Sequence, residues 1–210
     1  MVEGAADLLP PGAVLARAAM DDAPPPLLAA EEPLAAGVRD RRRRELAWGR
    51  ACARRALADL GHGPVPVGAD ADGVPTWPAG TVGSISHGAG RCVAVAAPTT
   101  AVAAIGVDVE PVGRLSAGVI DRLATPREQA AHDLAGPAGT VLLSAKESVY
   151  KCLSPGEPFL DVCRRWSVLL GADGWFTVEG EGVGEPPVVG RHATGDEVVL
   201  TVAWRPLTRG

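Results

Sequence analysis

Two long helical patterns, each accompanied by short β-like segments, constrain the fold of this chain most strongly. In residues 39–60, four apolar side chains fall within about 60° of one another on a helix that turns by about 100° per residue. Gly61 then supplies a C-terminal stop. Residues 139–153 form the second pattern, which ends where Pro155 and Gly156 cannot continue a helix.

The segments around these helices predict antiparallel sheets. Turn-forming residues separate three β-like runs after the first helix and four after the second, so each group can fold back on itself. The first group predicts a meander, with one more short strand at residues 65–67; shorter helices are predicted at residues 116–123 and 126–134. The predicted strands are residues 82–86, 92–97, 102–109, 166–170, 175–179, 188–192 and 197–204.

The order of these elements predicts an α+β fold with a pseudo-twofold pair of similar subdomains. Each subdomain, residues 1–104 and residues 105–210, would pack one long helix on a small antiparallel sheet. Residues 1–38 are rich in Pro, Ala and acidic residues, and we expect them to be a loosely structured lead-in.

Composition excludes several classes of protein. A chain of 210 residues that is 47% hydrophobic and 21% charged can bury a core. Its net charge of −5 argues against nonspecific nucleic-acid binding. The four cysteines have no metal-binding or disulfide spacing, which favours a reducing cytoplasm. We expect neither a membrane span nor a signal peptide, because the longest apolar stretch is interrupted and acidic residues lie near the N-terminus.

Two carboxylates stand two residues apart in the run Ile-Gly-Val-Asp-Val-Glu at residues 105–110. In a strand, Asp108 and Glu110 project from one side while the intervening valines turn into the core. Oxygen ligands about 7 Å apart at their backbones can converge on one hard cation such as Mg²⁺. Gly106 would let a ligand approach the backbone closely. Acids at a strand end are equally typical of a solvated face, so this pattern alone leaves both interpretations open.

The second long helix places Glu147 and Lys151 on one face at a spacing of i and i+4. One interpretation is an ordinary surface ion pair. The other is a catalytic pair, in which Glu147 takes a proton from a hydroxyl nucleophile while Lys151, together with Lys146, neutralises charge on a phosphoryl group.

The first helix and one predicted strand carry candidate ligands for phosphate. Arg42 and Arg50 lie about 40° to either side of Leu46, at the border of the apolar stripe, and are better candidates than the other arginines of this helix. Ser86 and His87 end a strand at the rim of the sheet. A lone histidine is also typical of a structural hydrogen bond, so His87 keeps both interpretations.

Five sequence blocks, taken together, resemble the Sfp-type 4'-phosphopantetheinyl transferases. More closely, they resemble the branch that includes the enterobactin-pathway and actinobacterial enzymes. The blocks, in this order and at these separations, are RRRELAWGRACARRAL at residues 42–57, PTWP at 75–78, GSISH at 83–87, IGVDVE at 105–110 and LSAKESVYK at 143–151.

The resemblance implies a reaction and a metal site. The reaction would transfer the phosphopantetheine arm of coenzyme A to a serine of an apo acyl or peptidyl carrier protein and release 3',5'-ADP. By the family pattern, Asp108, Glu110 and the Val109 carbonyl would hold Mg²⁺, with Mn²⁺ as an alternative. Glu147 would deprotonate the carrier serine, and Lys151 would contact the pyrophosphate.

The resemblance also implies how coenzyme A lies in the protein. The cofactor would occupy the cleft between the two subdomains, with Arg42, Arg50, Ser86 and His87 holding its nucleotide end, chiefly the 3'-phosphate. The loop at residues 68–73 departs from the pattern, because it lacks the basic residue that this branch often carries. We expect a cytoplasmic monomer whose partner is a carrier of fatty acid, polyketide, nonribosomal peptide or siderophore synthesis. Basic residues at the rim of the cleft would meet an acidic carrier, and the candidates are Arg114, Arg122 and Arg127.

Two other functions remain open from the sequence. A noncatalytic module could keep the fold and bind coenzyme A or a nucleotide. A metal-dependent phosphohydrolase could use the same acids with water as its nucleophile.

Overall fold

The computed structural model of the chain describes residues 2, 4–113, 115–153 and 155–208. Within these residues, the chain forms ten strands and five α-helices. They are β1 (Val14–Ala19), α1 (Asp40–Asp59), β2 (Gly68–Ala69), β3 (Pro75–Thr76), β4 (Thr81–Gly88), β5 (Arg91–Pro98), β6 (Val102–Pro111), α2 (Ala117–Leu123), α3 (Pro126–Ala131), α4 (Pro137–Leu153), α5 (Phe159–Val162), β7 (Trp166–Leu170), β8 (Trp175–Gly180), β9 (Val189–Thr194) and β10 (Val198–Pro206).

The first half of the molecule places α1 on a three-stranded antiparallel sheet with the order β1-β5-β4. Small side chains line the contact, so the helix lies close to the strands: Ala53 and Ala56 of α1 are buried with Ala94 and Ala96 of β5. Helix α1 ends at Asp59, and Gly61, the residue after the C-cap Leu60, has the positive φ of 88° that is common just past a helix end.

The lead-in is more ordered than its composition suggests. Residues 14–19 form β1, an edge strand that pairs with β5 along its whole length. Two short 3-10 helices flank this strand, at Ala5–Leu8 and Glu32–Ala35. The prediction of a loosely structured segment is therefore wrong for these residues, because Ala16 and its neighbours bury apolar surface that offsets the cost of ordering them.

The second half places α4 on a five-stranded antiparallel sheet with the order β6-β10-β9-β8-β7. Gly106 of β6 lies directly under this helix, and a Cβ at that position would overlap the Ser148 carbonyl. The sequence predicts that Gly106 lets a ligand approach the backbone, but in the structure this glycine lets α4 pack closely on β6. Helices α2 and α3 confirm the two short helices predicted between residues 116 and 134.

The predicted three-stranded meander is wrong at its third strand. Strands β4 and β5 form the expected hairpin, but β6 crosses to the second sheet and pairs with β10. Turn residues near Pro98 indicate a chain reversal, yet they do not determine which sheet the next strand joins. The short strand predicted at residues 65–67 is also displaced, and the pairing residues are those of β2 and β3.

The layers follow the order helix, sheet, sheet, helix. One cluster joins α1 to the first sheet, a second joins α4 to the other sheet, and a third lies between the facing sides of the two sheets. This arrangement confirms the α+β class with antiparallel sheets. Among the described residues, no helix is both long and apolar enough to cross a membrane.

Candidate functional site

A cleft of about 600 Å³ lies between α1, β4 and the C-terminal end of α4. Its α1 wall carries Arg42 and Arg50, and Lys151 of α4 lies at its other end. Loop residues from each half complete the wall, namely Ala69, Asp72, Gly73, Val74, Pro155 and Gly156.

Asp108, which is only 1% exposed, is held by three side chains. Its Oδ1 accepts hydrogen bonds from the Ser86 hydroxyl at 2.8 Å and the Lys151 ammonium at 2.7 Å. Its Oδ2 accepts a hydrogen bond from the Ser144 hydroxyl at 2.9 Å. These contacts come from β4 and α4, so both halves of the molecule fix the orientation of this carboxylate.

Two further carboxylates lie beside Asp108. One oxygen each of Asp108, Glu110 and Glu147 lies within 4.8 Å of the others. The alternation along β6 brings the first two to one side, as the sequence predicts, and α4 supplies the third. The pattern therefore forms a convergent acidic site, rather than a solvated strand end.

Burial and neighbouring negative charge raise the pKa values of two of these acids. Burial, with a further contribution from Asp108, raises the pKa of Glu147 to about 7. Burial and the same neighbour raise the pKa of Glu110. The Lys151 ammonium opposes both shifts, and it lies 3.7 Å from Glu147 Oε2. Together, the three acids carry more negative charge than this lysine compensates.

The donor set fits a hard divalent cation. Carboxylate oxygens suit Mg²⁺, which commonly takes one or two of them and completes its shell with substrate phosphate and water. The Val109 carbonyl lies against Gly88 of β4, where a Cβ would overlap its oxygen. Asp108, Glu110 and Glu147 are thus the residues that could hold a metal, with Glu147 in addition to the predicted pair.

The α1 wall brings together most of the predicted nucleotide ligands. Arg50 is 6% exposed, and its Nη2 donates to the Gly68 carbonyl at 3.0 Å. Its Nε is buried and has no partner among the residues that the structure describes. Arg42 donates to His87 Nε2 at 2.9 Å, which fixes that ring nitrogen as an acceptor. Burial lowers the pKa of His87, with further contributions from Arg42 and Lys151, while Glu45 opposes the shift.

Two predicted site residues have contacts other than those expected. Lys146 is fully buried on the side of α4 away from the cleft, where it pairs with Glu128 at 2.9 Å, so it is not available to a phosphoryl group. The reason is helical geometry, because consecutive residues differ by about 100° in direction. Ser86 was predicted at the nucleotide end, but its hydroxyl lies between Lys151 and Asp108 instead.

Two hydroxyl residues of the site were missed from the sequence. Ser144 contacts Asp108, and it also lies 3.0 Å from the Thr201 hydroxyl. The spacing of Ser144, Glu147 and Lys151 at i, i+3 and i+7 could have placed the serine on the catalytic face of α4. Thr201 lies opposite Asp108 in the pairing of β10 with β6, a register that the sequence does not reveal.

Comparisons with known proteins agree with this geometry. The family model described as the 4'-phosphopantetheinyl transferase N-terminal domain matches residues 30–97, and the superfamily model of the same name matches residues 104–203. Together they span α1 and the first sheet's hairpin, the three acids and α4.

Three curated proteins are similar to the chain. The 4'-phosphopantetheinyl transferase Npt of Nocardia iowensis is 40% identical over 60% of this chain and 58% of the relative. PptT of Mycobacterium tuberculosis is 39% identical over 72% of this chain and 67% of the relative, and Svp of Streptomyces mobaraensis is 40% identical over 71% and 65%. The matched regions thus span between 58% and 67% of these relatives' lengths. On this similarity and the two family models, the chain belongs to the 4'-phosphopantetheinyl transferase superfamily.

Proposed function

We propose that this chain transfers the 4'-phosphopantetheine group of coenzyme A to a serine of an acyl or peptidyl carrier protein, with Mg²⁺ as the metal and 3',5'-ADP as the second product. The single observation that carries this proposal is the convergence of Asp108, Glu110 and Glu147 around Lys151, which lines a cleft whose α1 wall carries Arg42 and Arg50. The family to which the chain belongs, and the printed names of its relatives, support the same reaction.

The charges of the cleft match those of coenzyme A. Its pyrophosphate would lie beside Lys151 and the three acids, which would hold the metal that neutralises part of the phosphate charge. Its 3'-phosphate would lie against Arg50 and Arg42, since planar guanidinium groups suit phosphate oxygens. The unpartnered Nε of Arg50 supports this placement, because a buried donor without an acceptor is costly unless a ligand supplies one.

The transfer itself is one displacement at phosphorus. The serine oxygen of the carrier forms a bond to the β-phosphorus of coenzyme A, and the bond from that phosphorus to the oxygen of 3',5'-ADP breaks. Glu147 takes the serine proton, directly or through a water molecule. A base with a pKa of about 7 is well matched to this task at neutral pH. When bound, the metal would supply charge neutralisation on the pyrophosphate.

Lys151 and Asp108 hold this arrangement in place. The ammonium of Lys151 is fixed by the Val107 carbonyl at 3.2 Å, the Ser86 hydroxyl and Asp108, so it is oriented before any substrate arrives. A preorganised positive charge beside the leaving group stabilises the transition state without reorganisation.

The carrier protein would meet the rim on the side of α2 and α3. Arg122 of α2 is exposed, whereas Arg127 of α3 is already paired with Glu179 at 2.8 Å. Arg114, the third predicted rim residue, lies outside the described residues.

Mass spectrometry of an apo carrier protein tests the proposal directly. Incubation with the chain, coenzyme A and Mg²⁺ should add one phosphopantetheine group to the carrier serine, and chelation with EDTA should prevent it. Binding of coenzyme A without any modification across a panel of apo carriers would favour a noncatalytic module. Consumption of coenzyme A in the absence of a carrier would favour a phosphohydrolase.

A further inference from the structure

A fully buried glutamate, Glu31, ties the lead-in to α1 and to the loop that follows α1. Its side chain is 0% exposed. Its Oε2 accepts the Leu28 amide at 3.0 Å and is paired with Arg54 of α1, while its Oε1 accepts the Val67 amide at 3.0 Å. Arg54 also donates to the Pro26 carbonyl at 3.1 Å. We refer to Glu31, Arg54 and the two amides as the Glu31 network.

The second half contains an equivalent arrangement around Glu128, which is also 0% exposed. One oxygen accepts the amide three residues earlier, that of Thr125, at 2.6 Å, and the other accepts the Val168 amide at 2.7 Å. The long helix of this half again supplies the cation, Lys146, at 2.9 Å. In each half, one carboxylate thus joins its preceding turn, the long helix and a later segment of chain.

The Glu31 network lies next to a wall of the cleft. Val67, whose amide it holds, directly precedes Gly68, and the Gly68 carbonyl accepts the hydrogen bond from Arg50 Nη2 at 3.0 Å. The next residue, Ala69, lines the cleft itself. A shift of this segment would therefore release the guanidinium that faces the cleft and move part of the wall.

We propose that Glu31 is a positioning residue for the nucleotide end of coenzyme A. It acts through Val67 and Gly68 on Arg50, without contacting the cofactor. This inference rests on the proposed function, because it takes coenzyme A as the ligand of the cleft. It goes further by assigning cofactor affinity to a buried residue of the lead-in, a segment whose composition predicts only loose structure.

The Glu128 network provides a matched control within the same molecule. It holds α4 through Lys146, the neighbour of Glu147, and among the residues that the structure describes it makes no contact with the segment that holds Arg50. The substitutions Glu31→Gln and Glu128→Gln each remove one charge from a fully buried carboxylate that holds two amides and one cation. Both should lower the melting temperature, so a loss of stability alone does not distinguish them.

The distinguishing measurement is the ratio of dissociation constants for dephospho-coenzyme A and coenzyme A, obtained by calorimetry. In the unsubstituted protein, the contact with Arg50 should make coenzyme A bind at least about tenfold more tightly than the dephospho form. Glu31→Gln should reduce this ratio to about two, whereas Glu128→Gln should leave it unchanged. Glu31→Asp keeps the charge but is too short to hold both amides, and it should reduce the ratio partially if the glutamine variant does not fold.

The outcomes separate this inference from the function on which it rests. If the ratio of dissociation constants is unchanged in both Glu31 variants, Glu31 does not position the nucleotide end. The same conclusion follows if Glu128→Gln lowers the ratio as much as Glu31→Gln does. A ratio of one in the unsubstituted protein, with normal carrier modification, would overturn the inference and leave the function intact. Failure of the unsubstituted protein to bind coenzyme A at all would overturn both.

Discussion

Each half of the molecule packs a long helix on an antiparallel sheet, but the two helices present different chemistry to the cleft. In the first half, α1 contributes the guanidinium groups of Arg42 and Arg50. In the second half, α4 contributes Glu147 and Lys151, which lie beside the acids of β6. The same scaffold thus carries groups suited to binding an anion on α1. On α4 it carries groups suited to catalysing phosphoryl transfer.

The difference between the halves predicts a division of labour between affinity and rate. Both helices are anchored by a buried glutamate, so their supports are alike. The two helices differ in the side chains that face the cleft. Substitutions on α1 should mainly change the affinity for coenzyme A, whereas substitutions on α4 should mainly change kcat.

Asp108→Ala should reduce carrier modification by about 10³-fold or more, because it removes a metal ligand and the partner of Lys151. The binding of coenzyme A should change much less, since Arg42 and Arg50 remain. Rates measured by mass spectrometry at saturating coenzyme A would check this. Near-normal turnover at ordinary Mg²⁺ concentrations would contradict the role of Asp108 as a metal ligand.

Glu147→Gln should lower kcat by about 10²-fold while the dissociation constant for coenzyme A changes by less than about threefold. The substitution keeps the size of the side chain but removes its ability to accept a proton. Steady-state kinetics combined with calorimetry would measure both quantities. A change confined to affinity would reassign Glu147 from the base to a binding role.

Arg50→Ala should weaken coenzyme A by about tenfold and dephospho-coenzyme A by much less, with kcat little changed. Its loss removes one of the two guanidinium groups that α1 contributes to the cleft. Arg55→Ala, on the exposed side of the same helix, is the control and should change neither constant. Equal losses for the two forms of the cofactor would place Arg50 away from the 3'-phosphate.

The smallest expected effect is a pH-dependent stabilisation by Mg²⁺. Because the folded pKa of Glu147 is raised to about 7, the metal-free folded protein binds more protons than the unfolded chain between the ordinary carboxyl pKa and about pH 7. Its free energy of unfolding therefore falls as the pH rises through this window. A cation needs the deprotonated carboxylates, so it should restore more of this stability at pH 8 than at pH 6.

Differential scanning fluorimetry with and without Mg²⁺ would measure that stabilisation as a gain in Tm of a few degrees. The gain should be larger at pH 8 than at pH 6 in the unsubstituted protein, and the difference should shrink in Glu147→Gln. A gain that is the same at both pH values would show that cation binding is not coupled to these acids.

The sequence predicts the parts of this site that follow from local periodicity. Strand alternation places Asp108 and Glu110 on one side, and helical spacing places Glu147 with Lys151. The same geometry, applied more strictly, would have excluded Lys146, which lies one residue from Glu147 and so points in a different direction. The α+β class also follows from the order of the helical and β-like patterns.

Contacts between distant segments were beyond sequence reasoning. The crossing of β6 to the second sheet, and the opposition of Thr201 to Asp108, depend on which strand edges meet. The order of the lead-in could not be predicted for a similar reason. Its order comes from the pairing of β1 with β5 and from the Glu31 network, both of which involve residues far away in the sequence.

A crystal structure with coenzyme A and Mn²⁺ tests the central claim most directly. We predict an anomalous peak bounded by Asp108, Glu110 and Glu147, with the pyrophosphate beside it and the 3'-phosphate against Arg50. A metal bound at another place, or coenzyme A bound outside the cleft, would contradict the account.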